Sequence, residues 1–351
     1  MAAANRPLRV GIIGAGGIAR DANVPAYRAL GDQVELVAVA DIVAAAAERM
    51  LQEQGFQRAY TSYEEMLAQE DLDCVSVCTP NKLHAPAAIA ALRAGVHVFV
   101  VKPPALTADE ARDMRAEAAR SGRVLTVGFP TRFSAEAQAA KRYVDAGGLG
   151  EIYTGRITAL RRRGIPSWGV FTSKELQGGG PLIDIGVHAL DTALYLMGFP
   201  EPASVLGATH THLGNRPPGP APWGAWDWRR YDVEDVCNAL VTFRNGASLL
   251  VETSFIQNIE VMEEFNVRLS GTRAGLRLRP FAVFGEENGT LVDSQAAWLP
   301  KGKSYHDLIA NFVRAVRGEE PAVCTPDQAV VVQRIIDAIY RSAATGGGVE
   351  A

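Results

Sequence analysis

The feature that most narrows the possible folds is the junction LRVGIIGAGGIA at residues 8–19. An apolar run with no polar face gives way to a glycine-spaced turn, G-x-G-x-x-A at Gly14, Gly16 and Ala19. A helical pattern over 18–30 follows. A strand apolar on both faces has to be covered on both faces, which a parallel sheet between helices provides. The first glycine permits a tight turn, and the second lets backbone approach a pyrophosphate. The third small residue lets helix and strand pack closely. Free N–H groups at the helix start, beyond Gly17 and Ile18, favour phosphate. The same spacing also occurs where glycine merely packs. Here, however, the next predicted strand, 34–41, ends in Asp41, an acidic side chain placed to accept from ribose hydroxyls. Gly14, Gly16, Gly17, Ile18 and Asp41 therefore predict a dinucleotide site. Asp41 opposes a 2′-phosphate, and Ile42 and Val43 supply no cation, so NAD is favoured. Arg20 and Arg49 leave NADP open.

The alternation continues. CVSVCTP (74–80), VHVFVVKP (96–103) and VLTVGF (124–129) read as further buried strands separated by helices. One of these helices opens with a capping box at Thr107 and Glu110. Beyond about residue 130 the pattern changes. Strand candidates at 203–212, 233–244, 247–256, 264–270 and 275–279 follow one another without helices, and Asn245-Gly246 marks a hairpin turn. The fold class expected is an α/β Rossmann domain with a doubly wound parallel sheet over 1–129. An α+β domain with a large open, mostly antiparallel sheet is expected over 130–351. Two helices, 304–317 and 326–343, precede a tail, ATGGGVEA, expected to fray.

A length of 351 residues suits two domains, and a net charge of −4 argues against nucleic acid or anionic membrane as the main partner. No window approaches the roughly 18–20 apolar residues of a membrane span. The opening residues run into a strand with no separate apolar segment and cleavage site, so a cytoplasmic location is expected. Cys74 and Cys78 share one predicted strand, where four residues span about 13 Å, too far for a disulfide. The four cysteines read as small core residues, and no metal site is expected.

Two places carry possible chemistry. Lys102 ends the apolar run VHVFVV and precedes Pro103 and Pro104, either of which is a candidate for a cis bond. Open α/β sheets bind ligands at the carboxyl ends of their strands, so Lys102 stands at the rim of the nucleotide crevice. The alternative is a lysine whose stem covers apolar surface. In GGGPLIDIGVHALD, Gly178–Gly180 read as a flexible lead-in and Pro181 as the first turn of a helix. Asp184 and His188, at i and i+4, share one helix face. A carboxylate there can orient an imidazole and stabilise its charged form, which makes a general acid/base pair. A surface ion pair or a satisfied core histidine fits the spacing as well.

Across almost its whole length the chain resembles the Gfo/Idh/MocA family, named for glucose–fructose oxidoreductase and inositol dehydrogenase. The segments that carry the resemblance are GIIGAGGIA, VADI, CTPNKLHAPAAIAAL, VKPPALTADEA, VGFPTRF, GLGEI, GGGPLIDIGVHALD, DVEDV and IIDAIYRSAATG. The resemblance implies NAD(P)-dependent hydride transfer at a secondary alcohol or ketone of a sugar, cyclitol or related polyol. It also implies a homodimer or homotetramer formed through the second domain's sheet. The family's catalytic lysine falls on Lys102, and its acid–histidine pair on Asp184 and His188. Its nucleotide-lining segment falls on Thr79, Asn81 and His84, and its arginine at the start of the second domain on Arg132. Where the family has glutamate before the lysine, this chain has Val101. On this resemblance His188 takes the substrate proton, Asp184 holds the imidazole and Lys102 hydrogen-bonds the reacting oxygen. The segment 160–180 is a candidate pocket wall, with Trp168 stacking on a sugar face and Arg163 bonding hydroxyls or a carboxylate; a packing tryptophan and a solvated basic run fit these residues as well. Trp223, Trp226 and Trp228 sit in a Pro-rich loop. The rival readings are an enzyme that retains NAD and cleaves glycosides through transient oxidation, and a non-catalytic NAD-binding sensor.

Overall fold

The computed structural model describes residues 6–351. The chain divides into two compact units. One comprises residues up to Pro130 together with Lys303–Val330, and the other comprises Thr131–Gly302 with Val331–Ala351.

The first unit is built on six parallel strands: β1 (Leu8–Ile13), β2 (Val34–Ala40), β3 (Arg58–Tyr60), β4 (Cys74–Val77), β5 (His97–Val101) and β6 (Leu125–Gly128). They lie in the order β3-β2-β1-β4-β5-β6, in which the chain reverses its direction of travel at β1/β4. Every residue of β4 and of β6 is buried, as strands covered on both faces must be. The connecting helices are α1 (Val24–Arg28), α2 (Ala44–Gln54), α3 (Tyr63–Gln69), α4 (His84–Arg93) and α5 (Ala108–Ser121). The capping box predicted at Thr107 and Glu110 is formed at the start of α5. The helix expected from residue 18 instead opens with a π turn, Ala19–Asn23, before α1. All four cysteines are buried, and none of them forms a disulfide.

The second unit contains α6 (Ala135–Asp145), the long strand β7 (Ile152–Arg161) and a short helix, α7 (Lys174–Gln177). A π turn (Leu182–Gly186) then continues directly into α8 (Val187–Met197). The strands β8 (Pro202–His210), β9 (Val236–Phe243), β10 (Ser248–Ser254), β11 (Glu263–Gly271), β12 (Ala274–Arg277), β13 (Ala282–Glu287) and β14 (Thr290–Gln295) follow. Their pairings are antiparallel except that of β7 with β10. The Asn245-Gly246 hairpin forms as predicted, with Gly246 at φ +87°. One face of the sheet is covered, and α8 packs on β7 and β11. The other face carries Leu206, Leu240 and Leu250 in one register row, all exposed.

The later segments are α9 (Ser304–Val316), α10 (Pro326–Thr345) and β15 (Val349–Glu350). In the first unit α9 packs beside β5: the Phe312 and Phe99 rings lie 5.7 Å apart, and Asn23 Nδ2 donates to Tyr305 Oη at 2.6 Å. The tail does not fray. Val349 and Glu350 pair with β8, and Ala351 N donates to Ala203 O at 3.2 Å. An extended edge strand offers open backbone groups, and the tail satisfies some of them.

Candidate active site

The glycine turn is built as its spacing predicts. Gly14 has φ +97°, and a Cβ there would lie 2.8–2.9 Å from the backbone of Cys78 and Thr79. A side chain at this position would therefore force β1 and β4 apart. A Cβ on Gly16 would meet nothing within 4 Å, so its backbone faces open space where a phosphate can approach. Ala19 is fully buried in helix–strand packing. Asp41 follows β2, and its two oxygens accept from Ala15 N and Val43 N, each at 2.8 Å. The acid is thereby locked to the turn, and each oxygen keeps a lone pair for a ribose hydroxyl. Thr79 Oγ1 is buried with no hydrogen-bond partner in the protein. An orphaned hydroxyl, an open glycine backbone and an anchored acid fit a dinucleotide. Ile18 and Ile42 stand exposed on the same loops, Ile42 at 84%. Ile42 is a further candidate contact, for the apolar face of a base. Its sequence signal is an apolar residue directly after Asp41.

His84 is not open to a ligand. It is fully buried, its Nδ1 lies 2.8 Å from Pro103 O, and its Nε2 lies 2.9 Å from Thr79 O. It joins the segment after β4 to the segment after β5. Burial, with a smaller push from the Lys102 charge, lowers its pKa to about 4 against the pull of the two carbonyls. Asn81, in the same segment, is also buried. Lys102 directly follows β5, part-exposed, with a cis bond to Pro103. Val101 is 7% exposed and is the last buried residue of that strand.

In the second unit Asp184 lies in the π turn and His188 in the first turn of α8. Asp184 is buried and His188 is part-exposed. Gly186 stands between them, and a Cβ there would come within 2.5 Å of Thr253 Cγ2 on β10. Glycine thus lets this helix lie against the sheet. The segment before it is not a flexible lead-in. Gly179 and Gly180 are buried, and a side chain on either would collide, with Tyr340 Oη or with Glu234 O respectively. Glu234, which the sequence reading passed over, accepts from Gly180 N at 2.8 Å and from Leu182 N at 3.3 Å. Its one sequence signal was the acidic run DVED.

The residues expected to touch substrate separate. Arg132 is 0% exposed, with Nε and Nη2 donating to Asp191 Oδ2 and Oδ1 at 2.9 and 2.6 Å. A guanidinium enclosed in this way holds α8 rather than a substrate, which corrects the expectation for Arg132. Arg163 donates to Gln257 O at 3.2 Å and Asn258 Oδ1 at 2.8 Å, so it secures that turn. Trp168 remains exposed and stacks on Trp223, with ring centroids 5.9 Å apart. Arg161 covers Trp223 at 4.2 Å. Trp226 is buried in a cluster with Ile165, Tyr231, Val233, Phe255 and Ile256, and Ile185 of the π turn packs against it. The Pro-rich loop is thus anchored beside Asp184.

A six-stranded parallel sheet with a glycine-spaced turn after its first strand and an acid after its second defines the Rossmann class of dinucleotide-binding proteins. Residues 8–129 match the model of an oxidoreductase family with an NAD-binding Rossmann fold, and residues 141–351 match that family's C-terminal alpha/beta domain. The chain belongs to the Gfo/Idh/MocA family of oxidoreductases, and its first unit is an NAD-binding domain. D-Glucoside 3-dehydrogenase of Escherichia coli (strain K12) is 39% identical over 344 residues, covering 98% of this chain and 97% of that protein. The structure of aldose-aldose oxidoreductase from Caulobacter crescentus with glycerol matches at TM-score 0.80 and 26% identity, over 99% of this chain and 100% of that one. Levoglucosan dehydrogenase complexed with NADH and L-sorbose matches at TM-score 0.83 and 26% identity, over 98% and 99% of the two chains. Among the described residues no helix is long and apolar enough to cross a membrane.

Proposed function

We propose that this oxidoreductase transfers hydride between NAD and a secondary hydroxyl of a carbohydrate, with a D-glucoside oxidised at C3 as the first candidate. The observation that carries the substrate is the 39% identity to a D-glucoside 3-dehydrogenase along nearly all of both chains. NAD supplies the hydride acceptor when bound. Gly14, Gly16, Gly17, Ile18, Asp41, Thr79 and Asn81 hold it. Asp41 disfavours a 2′-phosphate, and Arg20 is already paired with Asp21 at 2.8 Å. His84 braces the loops of this site through its carbonyl contacts. Within the second unit His188 accepts the hydroxyl proton and Asp184 orients and stabilises the imidazole. Lys102, from the first unit, donates to the oxygen as it gains negative charge. Trp168, carried on Trp223, offers a face for a sugar ring.

The test is NAD+ reduction with methyl glucosides, free aldoses, cyclitols and sugar acids, with NADP+ in parallel. Reduction by glucosides and NAD+ is expected. Turnover confined to cyclitols or free aldoses would sink the glucoside assignment, and glycoside cleavage at catalytic NAD would replace it with the transient-oxidation reading. The row Leu206, Leu240 and Leu250 supports a homo-oligomer through the open sheet face. Light scattering should show Leu240→Arg shifting the protein to a smaller species, and an unchanged mass would remove that assignment. Four buried cysteines without a disulfide suit a reducing cytoplasm, a location that cell fractionation checks.

A further inference from the structure

Glu234 lies just before β9 and is 7% exposed. Its Oε2 accepts from Gly180 N at 2.8 Å. Its Oε1 accepts from Leu182 N at 3.3 Å and from Tyr340 Oη at 2.9 Å. The two amides stand at the N-terminal end of the helix that runs through the π turn into α8, where amides have no acceptor within the helix. A carboxylate there also meets the positive end of the helix dipole. The link extends one bond further, because Gly180 O accepts from Asp184 N at 3.0 Å. Glu234 is thus two hydrogen bonds and one residue, Gly180, from the backbone of Asp184. On its other side, Glu234 O accepts from Tyr231 Oη at 3.1 Å, which ties it to the cluster against which Ile185 packs. Burial pushes the Glu234 carboxyl up, and the amides and the Tyr340 hydroxyl oppose that push. The missing side chains of Gly179 and Gly180 leave the space that Tyr340 and Glu234 occupy.

We infer that Glu234 is a positioning residue for the Asp184–His188 pair, setting the start of their helix through Gly180 and Leu182, with Tyr340 as its brace. The inference rests on the assignment of His188 as the proton acceptor. Glu234 touches neither substrate nor cofactor in this role. It fixes where the imidazole stands, and reaction rate falls steeply with small misplacements of a reacting group.

Glu234→Gln keeps the size but turns one acceptor oxygen into a donor facing donors. With a glucoside and NAD+, its kcat should fall about 10- to 100-fold, while KM and the NADH dissociation constant stay near wild type. Tyr340→Phe should lower kcat in the same direction by less. In a His188→Ala background Glu234→Gln should lower kcat no further, because both changes act through one imidazole. Unchanged kcat in Glu234→Gln, or a full second loss on top of His188→Ala, overturns the inference. If Glu234→Gln does not fold, Tyr340→Phe decides, and unchanged kcat there overturns it too. If His188→Ala itself keeps wild-type turnover, the assignment of the pair fails and the inference falls with it. A loss in His188→Ala without one in Glu234→Gln removes the positioning role alone.

Discussion

The helix from Leu182 to Met197 uses buried carboxylates differently at its two ends. In its later turns Asp191 meets Arg132, both at 0% exposure, in a two-pronged pair roofed by the rings of Tyr195 and Phe199, 5.0 and 5.1 Å from the guanidinium. Burial raises the Asp191 pKa, and Arg132 opposes it. At the helix start Glu234 is held by amides and a tyrosine hydroxyl instead, and His188 keeps part of its surface open. A closed ion pair locks a helix in place but has no capacity left for a ligand. A capped helix start fixes the backbone through its amides and does not enclose the imidazole that follows. Exposure, more than residue type, separates the enclosed Arg132–Asp191 end from the end where the acid/base pair is proposed.

That contrast can be broken by three substitutions. The largest effect is expected for Arg132→Met, which strands a buried carboxylate. It should lower stability by about 3–5 kcal/mol, measured by denaturant unfolding. A loss below about 1 kcal/mol, the range of a surface pair, would show that the pair is not structural. Next, His188→Ala should reduce turnover about 100-fold or more, about 2.7 kcal/mol in the barrier. Its melting temperature and NADH affinity should stay close to wild type. Turnover equal to wild type would erase the distinction between the two ends. The smallest effect is expected midway, at Gly186→Ala, where the added methyl must displace Thr253. Overpacking of this kind costs about 1–3 kcal/mol, and because Gly186 lies between Asp184 and His188 the loss should appear in both stability and kcat. A purely thermal effect would confine the reactive region to the side chains alone.

Much of the first unit was legible because its signals are local. A buried parallel strand has to be apolar throughout, and a turn at φ +97° against a neighbouring backbone has to be glycine, so Gly14 and the strands around it stand out in a single sequence. Asp41 follows at a set distance down the chain. In the second unit the acid and imidazole were visible as an i, i+4 pair, but the π turn beneath them was not, because its apolar pattern is that of an ordinary helix. The β13–β14 hairpin had a signal that was passed over, Asn288-Gly289, both at positive φ. Its flanking strands are largely exposed and lack the apolar alternation by which strands are recognised. Arg132 matched the family's arginine by position, yet nothing near it in sequence reveals that its partner, Asp191, lies 59 residues away in a dry interior.

The sequence by itself determined the strand–helix alternation of the first unit, the glycine turn with Asp41 one strand later, the Asp184–His188 spacing and the apolar character of Val101. These follow from short-range sterics and burial periodicity, which act between near neighbours in the chain. Only the tertiary structure decided that α9 returns to the first unit against Phe99, and that His84 faces two carbonyls. It also decided that Arg132 is enclosed by Asp191 and that Glu234 and Tyr340 meet at Gly180. Each of these is a contact between distant segments. Whether a charged or polar side chain binds, braces or reacts depends on which distant groups fill its hydrogen-bonding positions and how much water remains beside it.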